Sequence, residues 1–140
     1  MRAVLDTNVL VSGLFWLGAP HDLIEQVRHG SLSIITSPAL LSELGDVIRR
    51  PKLASILRRL DTTPDEVLEV LAQMVEVVDP APLTLRISRD PDDDAILALA
   101  VAARAELIVS GDTDLLSLGS HAGIPIVVAA EAFRIVTGNR

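Results

Sequence analysis

The sequence predicts an α/β protein, a sandwich of helices packed on a mostly parallel sheet. Short runs rich in apolar and β-branched residues alternate with stretches of helical spacing, the pattern of parallel strands joined by helices. Hydrophobic residues make up 49% of the chain and aromatic residues only 2%. The core must therefore be built from Leu, Ile, Val and Ala, which suits helices packed on a parallel sheet. At 140 residues, and without a low-complexity linker, the chain is expected to form one domain over residues 1–140.

Composition also limits the classes of function. The chain has no Cys, so disulfides, thiolate metal sites and Cys nucleophiles are excluded, and a reducing cytoplasm is the expected location. We expect no signal peptide, because Asp6 interrupts the N-terminal apolar stretch, and no apolar run approaches the roughly 20 residues of a membrane helix. The net charge of −7 argues against a protein held on nucleic acid by overall charge alone.

The first half of the chain contains two predicted strands and three predicted helices. We expect a strand at residues 2–6, a loop or loose turn at 12–18, a helix from Ala19 to His29, and a strand at 32–36. Ser37 followed by Pro38 is a typical helix start, because serine caps free amides and proline suits the first helical position. This helix runs to about Arg50, where Pro51 breaks it. A short helix over residues 52–60 follows.

The second half alternates in the same way. Thr63-Pro64 opens a helix, and Val75 to Val78 are expected to be extended. The prolines of residues 79–91 predict a loop, and the acidic run Asp90-Pro-Asp-Asp-Asp94 opens the next helix. The remaining predictions are a strand at 107–109, a helical turn at 115–118, a strand at 126–128 and a terminal helix at 130–136.

Four acids occupy positions where they can meet. Asp6 and Asp112 each follow a predicted strand, and ligand sites in parallel sheets lie just past the carboxyl ends of the strands. Glu43 lies within the apolar stripe of its helix, where a carboxylate is costly unless it is paired or bound to a cation. Asp94 lies in the first turn of a helix. We expect Glu43, Asp94 and Asp112 to converge on Asp6.

Such a group of acids predicts a divalent cation. Four acids within five residues, at 90–94, exceed what a helix cap requires, and the chain has a single Lys to offset them. Ligation by oxygen alone favours Mg²⁺ or Mn²⁺ over Zn²⁺. Hydrolysis of a phosphodiester fits this chemistry. No other catalytic apparatus is apparent, because the three histidines are scattered and neither a phosphate loop nor a nucleophile elbow is present.

Basic residues concentrate in one short segment. Arg side chains can bind phosphate oxygens with two hydrogen bonds, so this segment is a candidate surface for the nucleic-acid backbone, although a solvated surface is the commoner fate of such a run. Its members are Arg49, Arg50, Lys52, Arg58 and Arg59.

The order of five motifs resembles the PIN-domain ribonucleases, and more closely their VapC-like branch, the toxins of toxin–antitoxin pairs. The motifs are Val-Leu-Asp-Thr-Asn-Val, Ser-x-x-Leu-Leu-Ser-Glu-Leu, Arg-Pro-Lys, Asp-Pro-Asp-Asp-Asp and Ser-Gly-Asp-Thr-Asp-Leu-Leu, and the resemblance runs from Arg2 to about Val128. It implies a three-layer α/β/α sandwich with a central parallel sheet. It also implies cleavage of RNA that depends on one or two Mg²⁺ or Mn²⁺ ions, by a homodimer, with an antitoxin protein as partner.

Carried over position by position, the resemblance places the catalytic acids at Asp6, Glu43, Asp94 and Asp112. Asp93 and Asp114 are neighbouring acids that can replace these or bind a second metal, and Asn8 and Ser110 match supporting polar positions. The choice between Asp93 and Asp94 stays open, because the acidic run allows either alignment. In the working hypothesis Asp6, Asp94 and Asp112 hold the metal, and Glu43 is a further ligand or orients the water.

Two other classes of function compete with this interpretation. A phosphoryl-transfer protein would use Asp6 as a nucleophile. Phosphatases of that kind, however, have a second acid two residues further on, where this chain has Asn8. Receiver domains need a Lys late in the fold, whereas the only Lys of this chain is Lys52. A regulatory or complex-forming domain would keep the fold and the acids without cutting RNA. Residues 14–17, Leu-Phe-Trp-Leu, offer either an interface for such a partner or part of the core.

Overall fold

The strands of the protein form one sheet. The computed structural model describes residues 1–80 and 91–138, and of residues 91 and 92 it describes the backbone alone. Within these ranges the strands are β1 (Arg2–Leu5), β2 (Ser33–Thr36), β3 (Val75–Val77), β4 (Leu107–Val109), β5 (Ser120–His121) and β6 (Ile124–Val127). Their spatial order is β3-β2-β1-β4-β6-β5. Neighbouring strands are parallel except for the β5–β6 pair.

Helices connect the strands and cover both faces of the sheet. They are α1 (Thr7–Phe15), α2 (Ala19–Arg28), α3 (Pro38–Ile48), α4 (Pro51–Arg59), α5 (Pro64–Met74), α6 (Pro91–Ala102), α7 (Thr113–Leu118) and α8 (Ala129–Thr137). Side-chain caps start several of them, because an oxygen that accepts from a free amide stabilises the first turn. Ser37 accepts from the Leu40 amide at α3, and Thr63 accepts from the Glu66 amide at α5.

The alternation of side chains along the strands separates two cores, one on each face of the sheet. On one face Ala3 and Leu5 of β1 pack with α1, α2, α3, α4, α5 and α8. On the other face Val4 packs with α6 and α7. The predicted α/β sandwich with a central, mostly parallel sheet is thus confirmed, and it has three layers. In the described ranges no helix combines the length and the apolar character needed to cross a membrane.

The structure corrects two local predictions. The loop predicted at residues 12–18 is wrong over its first half, because α1 continues to Phe15. Gly13 lies inside this helix where α2 approaches, and a Cβ there would stand 2.8 Å from the carbonyl oxygen of Pro20. The two-residue strand β5 was not predicted from the sequence. The predicted loop at residues 79–91 falls mostly outside the described residues, although Pro91 already belongs to α6.

Candidate functional site

The acidic residues meet at the carboxyl ends of β1 and β4. The chain leaves β1 toward β2 on one side, whereas β4 lies on the other side of β1. Such a reversal of strand order opens a crevice at the ends of the two strands, which is where open α/β sheets bind ligands. A cavity lies here, lined by Asp6, Thr7, Asn8, Glu43, Asp93, Ile96 and Asp112. We call it the acidic cavity.

Asp6 is buried in this cavity and is held by hydrogen bonds on both carboxylate oxygens. It is 7% exposed. Its Oδ1 accepts the Val9 amide at 2.8 Å, which makes Asp6 the N-cap of α1, and its Oδ2 accepts the Ser110 hydroxyl. The Asp6 amide donates to the Val109 carbonyl of β4 at 3.0 Å. The carboxylate is therefore fixed in orientation by the helix it caps and by the neighbouring strand.

Ser110 connects the two acids that follow the strands. Its side chain is fully buried. While the hydroxyl donates to Asp6, its oxygen accepts the Asp112 amide at 2.9 Å. Asp112 in turn caps α7, because its Oδ1 accepts the amide of Asp114 at 2.7 Å. The supporting role predicted for Ser110 is consistent with this position, since the hydroxyl holds the Asp6 carboxylate against the loop that carries Asp112.

Electrostatics at Asp6 oppose the ionised carboxylate. Burial raises the pKa of Asp6 above its usual value, and the hydrogen bonds from Ser110, Val9 and Gly111 lower it only in part. The nearby charge of Asp112 raises the pKa further. A buried carboxylate beside a second one gains most from a cation that neutralises both.

The remaining acids lie around the same cavity at different depths. Glu43 reaches it from α3, and Asp93 reaches it from the first turn of α6. Asp93 is 4% exposed, and one carboxylate oxygen of Asp93, Asp112 and Asp114 each lies within 4.8 Å of the others. Asp114 is exposed and Asp94 is half-buried, and neither is among the residues that line the cavity. Of the two residues that the sequence left open, Asp93 is thus the one that faces the other acids.

Two residues of the cavity wall were not singled out from the sequence. Thr7 is buried, and Ile96 adds an apolar side chain between acidic neighbours. Thr7 directly follows Asp6, so the sequence already placed it near the predicted site. A threonine beside an aspartate, however, is too common to indicate a functional role. Asn8, predicted as a supporting residue, is exposed and lines the cavity.

The basic residues predicted as a candidate RNA surface lie beyond the cavity, where α3 passes into α4. All five are exposed. Arg49 is engaged by Asp65, with 2.5 Å between its Nη2 and the carboxylate Oδ1. For Arg50, Lys52, Arg58 and Arg59 no ion pair occurs within the part of the chain that the structure describes.

Together these features define an α/β protein with a carboxylate-lined cavity at a switch point of its sheet. The comparison with protein families identifies that class. Residues 2–114 match the family model of the PIN domain, so the chain belongs to the PIN-domain family.

The proteins that are similar to it include the following two. An uncharacterized protein of Methanocaldococcus jannaschii is 30% identical over 121 residues, which cover 84% of this chain and 75% of the relative. A chain in the crystal structure of VapBC2 from Rickettsia felis, bound to a DNA fragment from their promoter, superposes with a TM-score of 0.61 at 17% identity. That match covers 90% of this chain and 97% of the other, and it shows that the two share a fold.

Proposed function

We propose that this protein is a metal-dependent endoribonuclease, and that it is the toxin component of a toxin–antitoxin pair. The observation that supports the proposal most directly is the convergence of Asp6, Glu43, Asp93 and Asp112 in one cavity of a PIN domain. These side chains come from four separate segments of the chain. Local capping explains Asp6 and Asp112, but it does not explain why all four carboxylates face the same space.

The residues of the cavity fit a divalent cation. Every charged group among its lining residues is a carboxylate, and hard oxygen donors are the ligands that Mg²⁺ and Mn²⁺ prefer. One carboxylate oxygen from each of Asp93, Asp112 and Asp114 lies within 4.8 Å of the other two, a spacing at which a single cation could contact all three. Burial raises the pKa of Asp6 because it makes the ionised carboxylate unfavourable, and a bound cation would offset that cost.

We assign the ligand set to Asp6, Asp93 and Asp112, with Glu43 as a further ligand or as the group that orients the attacking water. We propose Asp114 as a further ligand, for this ion or for a second one, since one of its oxygens lies within 4.8 Å of oxygens of Asp93 and Asp112. Asp94, the alternative from the sequence, is assigned no direct contact. Ser110 is a positioning residue, since it acts by holding Asp6.

A bound cation supplies Lewis acidity, which lowers the pKa of water and polarises a phosphoryl oxygen. The chain contributes the geometry. Asp6 cannot rotate away, because Val9 and Ser110 hold its two oxygens. The N-termini of α1, α6 and α7 all lie at the cavity, and their dipoles favour the negative charge that gathers on carboxylates and on a phosphodiester.

The toxin assignment and the partners are proposed on the resemblance of the five motifs. The shared fold with a chain of VapBC2 is consistent with them. On this basis we propose an antitoxin protein as the cognate partner, a homodimer as the active form, and cellular RNA in the cytoplasm as the substrate. Production of the active chain should slow the growth of a bacterial host, whereas the Asp6→Asn variant should not.

The decisive experiment is cleavage of a mixed RNA pool by the wild type and by Asp6→Asn, with Mn²⁺ or Mg²⁺ and with EDTA. Cleavage that needs both the cation and Asp6 supports the proposal. Cleavage that survives EDTA, or that persists in Asp6→Asn, contradicts it. An acyl-phosphate trapped on Asp6 would instead identify a phosphoryl-transfer protein.

A matched pair of variants tests which acid of α6 takes part. Asp93→Asn should lower metal-dependent cleavage at least 100-fold, because Asp93 is buried against Asp112, and loss even of groups that only orient metal ligands costs about 10- to 100-fold. Asp94→Asn changes the same charge one residue later and should change cleavage less than about threefold. Equal losses in the two variants, or a larger loss in Asp94→Asn, would show that the assignment is reversed.

A further inference from the structure

One segment of the sequence differs in its charge from the rest of the chain. Residues 49–60 contain five of the twelve Lys and Arg residues and no Asp or Glu. The other seven basic residues are therefore spread through a remainder that holds all nineteen acids. Such segregation favours contact of a polyanion with this segment over contact with the acidic remainder, and we call it the basic segment.

The fold turns the basic segment into a continuous surface. In α4 the apolar residues Leu53 and Leu57 are buried, so Lys52, Arg58 and Arg59 stay on the exposed side. Arg50 precedes the helix and is exposed as well. At 1.5 Å per residue, the nine residues of α4 extend this surface over about 13 Å.

Four of the five cations are available to a ligand. Arg49 already binds Asp65, and its guanidinium lies over Gly45, so we do not count it among the cations available to a ligand. Arg50, Lys52, Arg58 and Arg59 make no ion pair with the described residues.

The basic segment directly follows the helix that brings Glu43 to the acidic cavity. Glu43 lines the cavity from α3, and α3 continues to Ile48 immediately before the segment. Glu43 and Ile48 are five residues apart in α3, which corresponds to about 7.5 Å along the helix, and Arg50 follows two residues later. A strand whose scissile phosphate lies at the cavity would need only a few nucleotides to reach Arg50.

We propose that Arg50, Lys52, Arg58 and Arg59 bind the phosphates of a single-stranded RNA beside the scissile bond, so that the strand passes from the acidic cavity along α4. This inference rests on the proposed ribonuclease function and adds the path of the substrate. Repulsion between the strand and the acidic remainder favours a path along the basic segment, because contact with its cations lowers the electrostatic free energy of the strand. Lys and Arg carry no sequence preference through phosphate contacts, so the segment contributes affinity and register.

Salt dependence measures the number of phosphate contacts directly. For single strands the slope of log K against log salt is about −0.7 per contact, so four contacts give about −2.8. A fourfold rise in salt should then weaken the binding of a short fluorescent oligouridine about 50-fold. In Arg58→Gln/Arg59→Gln the slope should fall to about −1.4, and the same rise in salt should weaken binding only about 7-fold.

The control is Arg28→Gln/Arg104→Gln, which also removes two positive charges, but from exposed positions outside the basic segment. Its slope should equal that of the wild type. Binding is measured in EDTA, so that it does not depend on cleavage, and the melting temperature of each variant confirms that it is folded. An equal reduction of the slope in the two double variants would overturn the proposal, because only net charge would then matter.

Cleavage assays separate this inference from the proposed function. If the wild type cleaves RNA with Mn²⁺ while Arg58→Gln/Arg59→Gln keeps the wild-type slope, the path along α4 is wrong and the ribonuclease stands. If the slope falls as expected while no RNA is cleaved, the segment binds nucleic acid and the ribonuclease fails. Absence of any binding to oligouridine overturns the path and favours an acidic protein as the ligand of the segment.

Discussion

Replacing Asp6 by Asn should stabilise the metal-free protein at neutral pH and remove most of its response to divalent cations. Asn keeps the geometry, because its Oδ1 can accept the Val9 amide as Asp6 does, and Asn and Asp are equivalent N-caps. Its Nδ2 can donate to the buried Ser110 oxygen. What the substitution removes is the charge, and burial makes that charge unfavourable at this position.

The sign of the effect follows from the raised pKa of Asp6. An acid whose pKa is higher in the folded state binds its proton more tightly there than in the unfolded chain. The resulting stabilisation is complete below the pKa of an unfolded aspartate, about 3.9, and is lost as the pH rises through the folded pKa. A tenfold tighter binding of the proton in the folded state corresponds to a cost of about 1.4 kcal/mol for the ionised wild type at neutral pH, and Asp6→Asn does not bear this cost.

Cations should reverse the order of stability. An ion present at 100 times its dissociation constant stabilises the folded protein by about 2.7 kcal/mol, which raises the melting temperature of a chain of this size by about 8 °C. Loss of the Asp6 charge should weaken ion binding at least tenfold, so that Asp6→Asn gains at least about 1.4 kcal/mol less.

Thermal unfolding of the two proteins with EDTA and with Mn²⁺ at constant ionic strength tests both effects. Asp94→Asn is the control, because Asp94 is not a lining residue of the acidic cavity. It should keep the wild-type response to Mn²⁺. If Asp6→Asn gains as much from Mn²⁺ as the wild type does, Asp6 is not a metal ligand, and the central assignment fails.

Three substitutions away from the acidic cavity test the fold. Thr36 is 1% exposed, and among the described residues its hydroxyl has no hydrogen-bond partner, so Thr36→Val should raise the free energy of unfolding in urea by about 1–2 kcal/mol. A decrease would show that an ordered water satisfies the hydroxyl. Arg104 is exposed with φ of 53°, and Arg104→Gly should gain about 0.5–1 kcal/mol, because glycine adopts this conformation without a steric penalty. Gly13→Ala should cost about 1–3 kcal/mol, since its Cβ would stand 2.8 Å from the Pro20 carbonyl oxygen, and an unchanged midpoint would show that α1 and α2 can separate freely.

Local signals in the sequence were sufficient for most of the elements. Helix starts carried by a capping residue and proline, as at Ser37-Pro38 and Thr63-Pro64, were placed within a residue of their observed positions. The miss at α1 has a tertiary cause. Gly13 weakens a helix by its own propensity, yet the close approach of α2 excludes a side chain there. The two-residue strand β5 depends on its pairing with β6, and no local sequence pattern predicts that pairing.

Helix phase could not decide between Asp93 and Asp94, and the structure shows why. Residues 96–100 of α6 are all buried, so this helix has no polar stripe in that part that would reveal which way its first turn points. The helix face that begins at Asp93 continues through Leu97 and Ala100, and the face that begins at Asp94 continues through Leu97 and Ala98. All of these following residues belong to the core. The answer depends on how the helix is rotated against the sheet, which is a property of packing and not of spacing.

The meeting of Asp6 and Asp112 depended on topology in a different way. The sequence places each acid after a strand, but acids that follow distant strands of one sheet would lie far apart, since neighbouring strands are about 4.8 Å from each other. In this fold Leu5 pairs with Val109, so Asp6 and Ser110 occupy the next position on adjacent strands. The buried Ser110 hydroxyl then binds Asp6 while its oxygen accepts the Asp112 amide. Asp6 and Asp112, which each cap a helix, therefore come together because β1 and β4 are adjacent. A variant with a longer turn between β4 and α7 should lose metal binding although it keeps both acids.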